Sequence, residues 1–364
     1  MTAWLADPPP TAGVTASRRV LVTDDGGGQA RSAVAAVRAL SDSGYEPAVA
    51  ASSPGSLAAA SRRTRRVITV PPPDDPGYAS SIRSALVEGG YLAALPSSDA
   101  ALLALGAPVG HLLDKSALAT SAEAAGFRAL PSRCYPSADA LMAHAGLLHY
   151  PLVVKPVFSR FPARKAAGPP DISDLPEGAG PLLVQPWLED PMRAVAGVVW
   201  GGALVAVAHQ RYLRTWPPEC GTASAAETVA PDLEVEERLL TLLVGYTGIF
   251  QAQFAGDFLL DLNPRVYGSL PLAVASGVNF PAILCGLLRG ETAAPRRARP
   301  GVAYRWLEGD LRHIVVGVRG RRLSVAAAAS ALRPRRRTAH SVFSLTDPGP
   351  QLARLRHILA SARR

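Results

Sequence analysis

Lysine is almost missing from this chain: of its 38 Lys plus Arg residues, only Lys115, Lys155 and Lys165 are lysine. That bias towards arginine, with abundant alanine and proline, reflects nucleotide composition, so a retained lysine hints that its compact ammonium matters where it stands. Cysteine is as scarce. Cys134, Cys220 and Cys285 are odd in number and have no CxxC or CxxH spacing, which excludes a disulfide framework and a zinc site and reads them as buried thiols. No Ser-His-Asp or Cys-His arrangement is indicated. No uninterrupted apolar run approaches about 18 residues, and the amino terminus lacks the basic start and apolar core of a signal peptide. A membrane span is therefore not expected, and a cytoplasmic location is. Aromatics make up only 6% of the chain, and neither Arg296-Arg-Ala-Arg nor Arg333-Pro-Arg-Arg-Arg337 has any interleaved. The net charge of +9 thus reads as solvated loops rather than a nucleic-acid surface, and its field draws small anionic substrates.

What is present is enough for about two or three domains, since 48% of the 364 residues are hydrophobic. After a proline-rich tail over 1–16, Arg19-Val-Leu-Val22 predicts a buried strand, Thr23-Asp-Asp-Gly-Gly-Gly28 a loop, Ala30 to Leu40 an amphipathic helix, and Glu46 to Ala51 a second strand. A glycine loop before a helix can accept an anion on its amides. This one lacks GxGxxG spacing, and no acidic residue follows the second strand, so it is not read as a dinucleotide site. Further on, Val195 to Trp200, the turn Gly201-Gly202 and Ala203 to His209 predict a hairpin, with Arg211 and Arg214 on a strand extension and His209 structural. Leu233 to Tyr246 predicts a scaffold helix.

The most informative stretch is Phe250 to Ser269. It predicts two short strands around a Gly256-Asp257 turn, and alternation sends Asp261 and Asn263 to one face and Leu260 and Leu262 to the other. Carboxylate and amide oxygens two apart on a strand suit a hard cation such as Mg²⁺ that also takes phosphate oxygens. Arg265 follows at once, and an even register puts Gln253 on the same face. The plainer reading is an edge hairpin with solvated Asp, Asn and Arg.

Asp261-x-Asn263-Pro-Arg265-x-x-Gly-Ser269, followed by an apolar helix and Gly277-Val-Asn-Phe-Pro281, resembles the metal-binding end of the ATP-grasp superfamily, whose usual form is Glu-x-Asn-x-Arg. Upstream, Asp114-Lys115 opens a helical run ending near Gly126. Tyr150-Pro-Leu-Val-Val-Lys155-Pro156 resembles the first nucleotide strand and Leu182-Leu-Val-Gln-Pro-Trp-Leu-Glu189 the interdomain hinge. The resemblance covers residues from about 18 to 290. It implies an α/β (α+β) ATP-grasp architecture: a Rossmann-like pre-ATP-grasp domain over 17–112, nucleotide-fold halves over 113–190 and 191–292, and a linker and carboxy-terminal segment over 293–364.

The resemblance also implies roles. Lys115 and Lys155 hold phosphates; the Pro186 carbonyl and Leu188 amide pair with adenine beside Gln185, so ATP is expected rather than GTP. Asp261 and Asn263 bind Mg²⁺, or Mn²⁺ in its place, and Gln253 stands where a bridging carboxylate is expected. Arg265 stabilises charge on an acyl phosphate and on the tetrahedral adduct. Arg211 and Arg214 lie near the transferred phosphate, or else at a solvated strand end. Trp187 is expected in the core. Asp99 and the amino-terminal glycine loop face the acceptor, over which the carboxy-terminal segment closes. The lid departs from the family: Phe158 to Lys165 is basic and proline-containing, so that Arg160, Arg164 and Lys165 supply charge, or the loop is disordered. The implied activity is an ATP-dependent carboxylate-amine ligase acting on small molecules, with a homodimer left open. The alternatives are a carboxyphosphate-forming enzyme and a nucleotide binder without catalysis.

Overall fold

The computed structural model describes residues 17–26, 30–107, 109–158, 161–176, 178–333, 335 and 337–361. The tail, residues 27–29 of the glycine loop and Arg160 lie outside the described residues. Among those described, three sheets form. The first is parallel and contains β1 (Arg19–Asp24), β2 (Glu46–Ala51), β3 (Arg66–Thr69) and β4 (Ala94–Leu95) in the order β3-β2-β1-β4. Its central strands β1 and β2 are mainly apolar runs because both faces are covered; Val20, Leu21 and Val22 are wholly buried. The crossover helix Arg31–Asp42 buries an alanine and valine face against β1 and β2.

The second sheet joins β5 (Arg133–Tyr135), β6 (Leu152–Pro156), β7 (Arg164–Ala166) and β8 (Leu182–Pro186) in the order β5-β8-β6-β7, all antiparallel. It has a core of its own around Leu141, Leu152, Val154 and Leu182. The largest sheet runs β13-β12-β9-β10-β11-β15-β16, made of β9 (Met192–Trp200), β10 (Ala203–Trp216), β11 (Thr222–Thr228), β12 (Gly248–Ala255), β13 (Phe258–Asn263), β15 (Ala303–Arg305) and β16 (Thr338–His340). The short β14 (Arg296–Arg297) adds to β10. One apolar cluster joins Leu21, Ile82 and Leu118 to Val195, Phe250 and Leu262, and another joins Val20 and Val34 to Val198, Ile249 and Phe280. The parallel sheet, the helix Lys115–Ala124 and the large sheet therefore share cores, and Phe250 and Phe254 are fully buried there. Truncating either to alanine costs about 3–5 kcal/mol.

Several local expectations are met by specific bonds. The turn between β9 and β10 uses Gly201 and Gly202 at φ 55° and 77°, angles that glycine adopts without strain. Asn279 caps the helix Phe280–Leu288 through the Ala282 amide and also donates to the Ala39 carbonyl at 2.7 Å, tying the motif Gly277 to Pro281 to the amino-terminal domain.

Two expectations are corrected. The helix after Leu233 ends at Leu242, not Tyr246. Of the cysteines only Cys285 is buried; Cys134 is exposed and Cys220 half-buried. In the carboxy-terminal segment, β15 and β16 extend the large sheet and the helix Leu307–Arg319 packs on β10 and β11. No helix among the described residues is long and apolar enough to cross a membrane.

Candidate functional site

The hairpin of β12 and β13 places the oxygen ligands. Gln253 pairs with Asp261 and Gln251 with Asn263 across the ladder, so all four side chains share a face. The register then slips, Phe254 pairing with Leu259, which leaves Leu260 as an extra residue. This bulge corrects the alternation read from the sequence: Leu262 goes to the core, but Leu260 lines the cleft beside Asp261. The Leu260 carbonyl is used. It accepts a hydrogen bond from Lys155 Nζ at 2.8 Å. Gly256 makes the turn at φ 53°, where a Cβ would lie 2.7 Å from Asp190 Oδ1.

Lys115 reaches the same place from another element. Asp114 caps the helix Lys115–Ala124 by accepting from the amides of Ser116 and Ala117 at 2.8 and 3.4 Å. Lys115 is thereby the first helical residue, and its Nζ lies 2.9 Å from Asp261 Oδ1. Burial disfavours its charge, yet the attraction of Asp261 outweighs burial and raises its pKa above the ordinary lysine value. Lys155 goes the other way: burial pulls its ammonium down to about 8, with Asp261 opposing and Lys115 adding to the fall. Two ammonium groups and one carboxylate thus meet where the sequence placed phosphates.

Arg265 Nη2 donates to Asn263 Oδ1 at 2.8 Å and Arg265 Nε to Asp99 Oδ1 at 2.5 Å. Asp99, expected to face an acceptor, is instead tied to Arg265. Gln251 donates to Ser269 Oγ at 3.2 Å, and Gln253 to Gln251 Oε1 at 3.5 Å. Sequence reasoning missed Gln251, although the register that carries Gln253 carries it too.

The cleft has a volume of about 1080 Å³, and Lys115, Lys155, Gln253, Asp261, Asn263 and Arg265 all line it. So do the hinge residues Gln185, Pro186 and Leu188. Gln185 donates to Ser132 Oγ at 2.7 Å, and the Trp187 amide is taken by the Pro151 carbonyl. Trp187 is a half-buried cleft wall rather than core, with Lys165 Nζ 4.1 Å from its ring centre. Lys165 also reaches Glu219 Oε1 at 3.3 Å. Arg164 turns away to the Asp174 carbonyl. Arg214 lines the cleft but is clamped by Asp310, at 2.6 and 3.1 Å. Arg211, expected near the transferred phosphate, does not line the cleft; it pairs with Glu227 at 2.7 Å and is exposed, because successive strand residues face opposite ways. His209 is buried against Glu236 at 3.1 Å, and burial lowers its pKa. The carboxy-terminal segment contributes Trp306, Glu308, Arg312 and Arg354 to the cleft.

A crystal structure of carboxyaminoimidazole ribonucleotide synthase from Aspergillus clavatus complexed with ATP superposes with a TM-score of 0.58 at 14% identity, over 79% of this chain and 81% of that one. The L-amino acid ligase from Bacillus licheniformis does so at 0.55 and 14%, over 78% of each chain. The N5-carboxyaminoimidazole synthetase from Staphylococcus aureus complexed with ADP gives 0.55 and 12%, over 78% and 80%. The chain shares the fold of these solved structures, in agreement with the architecture expected from the resemblance. No family model matches the chain, and no curated protein matches it in sequence. At such identities the likeness concerns the fold alone, and the chemistry must come from the cleft.

The donor set around Asp261 in that cleft fits magnesium. It offers one carboxylate and several amide oxygens, all hard ligands. Among the described residues no three His, Cys, Asp or Glu side chains cluster into a metal site, so a cation here would complete its shell with phosphate oxygens and water. Asn263 Oδ1 has two lone pairs and can serve Arg265 and a cation together.

Proposed function

We propose that the chain is an ATP-dependent carboxylate-amine ligase that joins a small-molecule carboxylate to an amine through an acyl phosphate, releasing ADP and phosphate. The observation that carries this is the meeting of Lys115, Lys155, Asp261, Asn263 and Arg265 in one cleft, drawn from three separate elements. Such a set has little covalent chemistry to do; it positions a triphosphate and stabilises charge. Magnesium, held by Asp261, Asn263 and Gln253, would neutralise phosphate charge. Lys155 and Lys115 hold the phosphates by charge-assisted hydrogen bonds. The hinge carbonyl of Pro186 and amide of Leu188 take the adenine edge. Arg265, fixed by Asp99 and Asn263, presents its guanidinium to the oxygen charge that develops as the γ-phosphoryl group passes to the carboxylate and, later, as the amine attacks. Arg214 serves as a cleft wall near that group. Trp187 and Lys165 close the nucleotide side and restrict water.

The test is ADP release from Mg-ATP with a library of carboxylates, with and without amines. The reading expects release with particular acids, increased by an amine. Release that depends on bicarbonate and needs no amine would instead support carboxyphosphate chemistry, and nucleotide binding with no turnover across the library would support a binder.

A further inference from the structure

In the wall of the cleft, one arginine is built in an unusual way. Arg31, the first residue of the helix Arg31–Asp42, lays its guanidinium 3.8 Å from the centre of the Trp306 ring. Its Nη2 donates to Thr222 Oγ1 at 2.8 Å and its Nη1 to Tyr304 Oη at 3.1 Å, while Tyr304 Oη itself donates to the Gly268 carbonyl at 3.0 Å. Gly268 lies flat against it, since a Cβ there would stand 3.2 Å from the guanidinium carbon. Four elements therefore fix one side chain in a single orientation, and every partner it has is neutral.

That is the informative point. The arginines held rigidly in this part of the fold are otherwise paired with a carboxylate, although Arg31, being only half-buried, does not need one to be tolerated. Arg214 and Arg305 obey this rule through Asp310 at 2.6 and 3.1 Å. Arg31 does not: among the described residues no carboxylate forms an ion pair with it. The nearest acid it influences, Glu308, already receives Arg354 at 2.7 Å and Arg312 at 3.0 Å. A guanidinium has five N–H donors in a planar fork, so donors remain beyond the two given to the hydroxyls. The group is pre-organised and lines the same cleft as Asp261 and Arg265. Tyr212 lines the cleft as well: burial and Tyr304 push its hydroxyl pKa up, Asp261 adds to this and Arg31 opposes it.

We infer that Arg31 anchors an anionic group, carboxylate or phosphate, on the amine substrate, and so selects amines that carry such a group. The inference rests on the ligase reading for which substrate is held, but the anion site itself does not depend on turnover. Trp306 keeps water from one face of the fork and holds its plane, so the remaining N–H groups meet the anion with little loss of side-chain freedom.

Calorimetry on the full chain tests it, with and without saturating Mg-ADP. Two sets of probes are compared: amino acids against their carboxamides, and phosphoethanolamine against ethanolamine. We expect the anionic member of at least one pair to bind at least about tenfold more tightly than its neutral counterpart, as a charge-assisted contact predicts. The amino-acid arm then indicates a carboxylate source and the other arm a phosphate. Arg31→Ala should erase the discrimination while Mg-ADP affinity stays the same, which also shows that the variant is folded. Arg31→Lys, which keeps the charge and loses the fork, should restore part of it. The inference is overturned if neither anionic set is preferred, or if Arg31→Ala leaves the preference intact. Failure of Mg-ADP to bind would instead count against the nucleotide reading, with the anion comparison still decided by the nucleotide-free series.

Discussion

Gln253 lies directly opposite Asp261 across the β12–β13 ladder, an amide facing the carboxylate that Lys115 approaches to 2.9 Å. A neutral amide oxygen can coordinate magnesium but brings no negative charge, so the cluster would hold a cation mainly through the nucleotide. Activity should need high free Mg²⁺. Gln253→Glu should lower the requirement, and Asp261→Asn should raise it sharply or abolish turnover. Rate against free Mg²⁺ at fixed Mg-ATP reads both; an unmoved curve for Gln253→Glu would mean that this side chain is only a strand residue.

The two lysines differ in what they leave behind. Lys155→Ala removes a buried ammonium that has a single backbone partner, the Leu260 carbonyl. It should weaken ATP binding by roughly 10- to 100-fold, the cost of one charge-assisted contact of about 1.5–3 kcal/mol. Lys115→Ala should cost less. Calorimetric titration of ATP into both variants checks this, and unchanged affinity in both removes the phosphate assignment.

In the proposed role, Lys155 would also make nucleotide binding sensitive to pH. Its pKa in the folded protein is about 8, against 10.5 for an ordinary lysine. Between these values the unfolded chain binds more protons at this group than the folded one does, so its contribution to stability rises with pH across the window. A bound phosphate restores the charge. ADP binding near pH 9 should therefore take up protons and weaken as pH rises. Binding enthalpies in buffers of different ionisation enthalpy measure the uptake; none at pH 9 would contradict the contact.

Asp310 is fully buried and holds both Arg214 and Arg305. Asp310→Ala strands two arginines and should destabilise the protein by about 3–5 kcal/mol. Chemical denaturation followed by circular dichroism reports the loss. A midpoint within experimental scatter of the parent would show the clamp to be dispensable.

Much of this was legible locally. The βαβ opening, the Gly201-Gly202 hairpin, the Asp114 cap and the Asp261-x-Asn263 face are set by neighbours a few residues apart, through strand alternation, glycine turns and capping bonds, and these carry their signature in the order of residues. The scarcity of lysine singled out Lys115 and Lys155, which the fold brings to Asp261 and the Leu260 carbonyl. The tertiary structure decided what depends on distant chain. The bulge at Leu260 is invisible to a period-two pattern, because an extra residue shows only against its partner strand. Trp187 and Arg211 were misplaced because the sequence does not say which side of a strand end another domain will cover. Arg31 carried no signal at all: its meaning comes from Trp306, Tyr304 and Thr222, far along the chain, and from the absence of a carboxylate beside it among the described residues. Charge compensation is a property of three-dimensional neighbourhoods, and only folding assembles them.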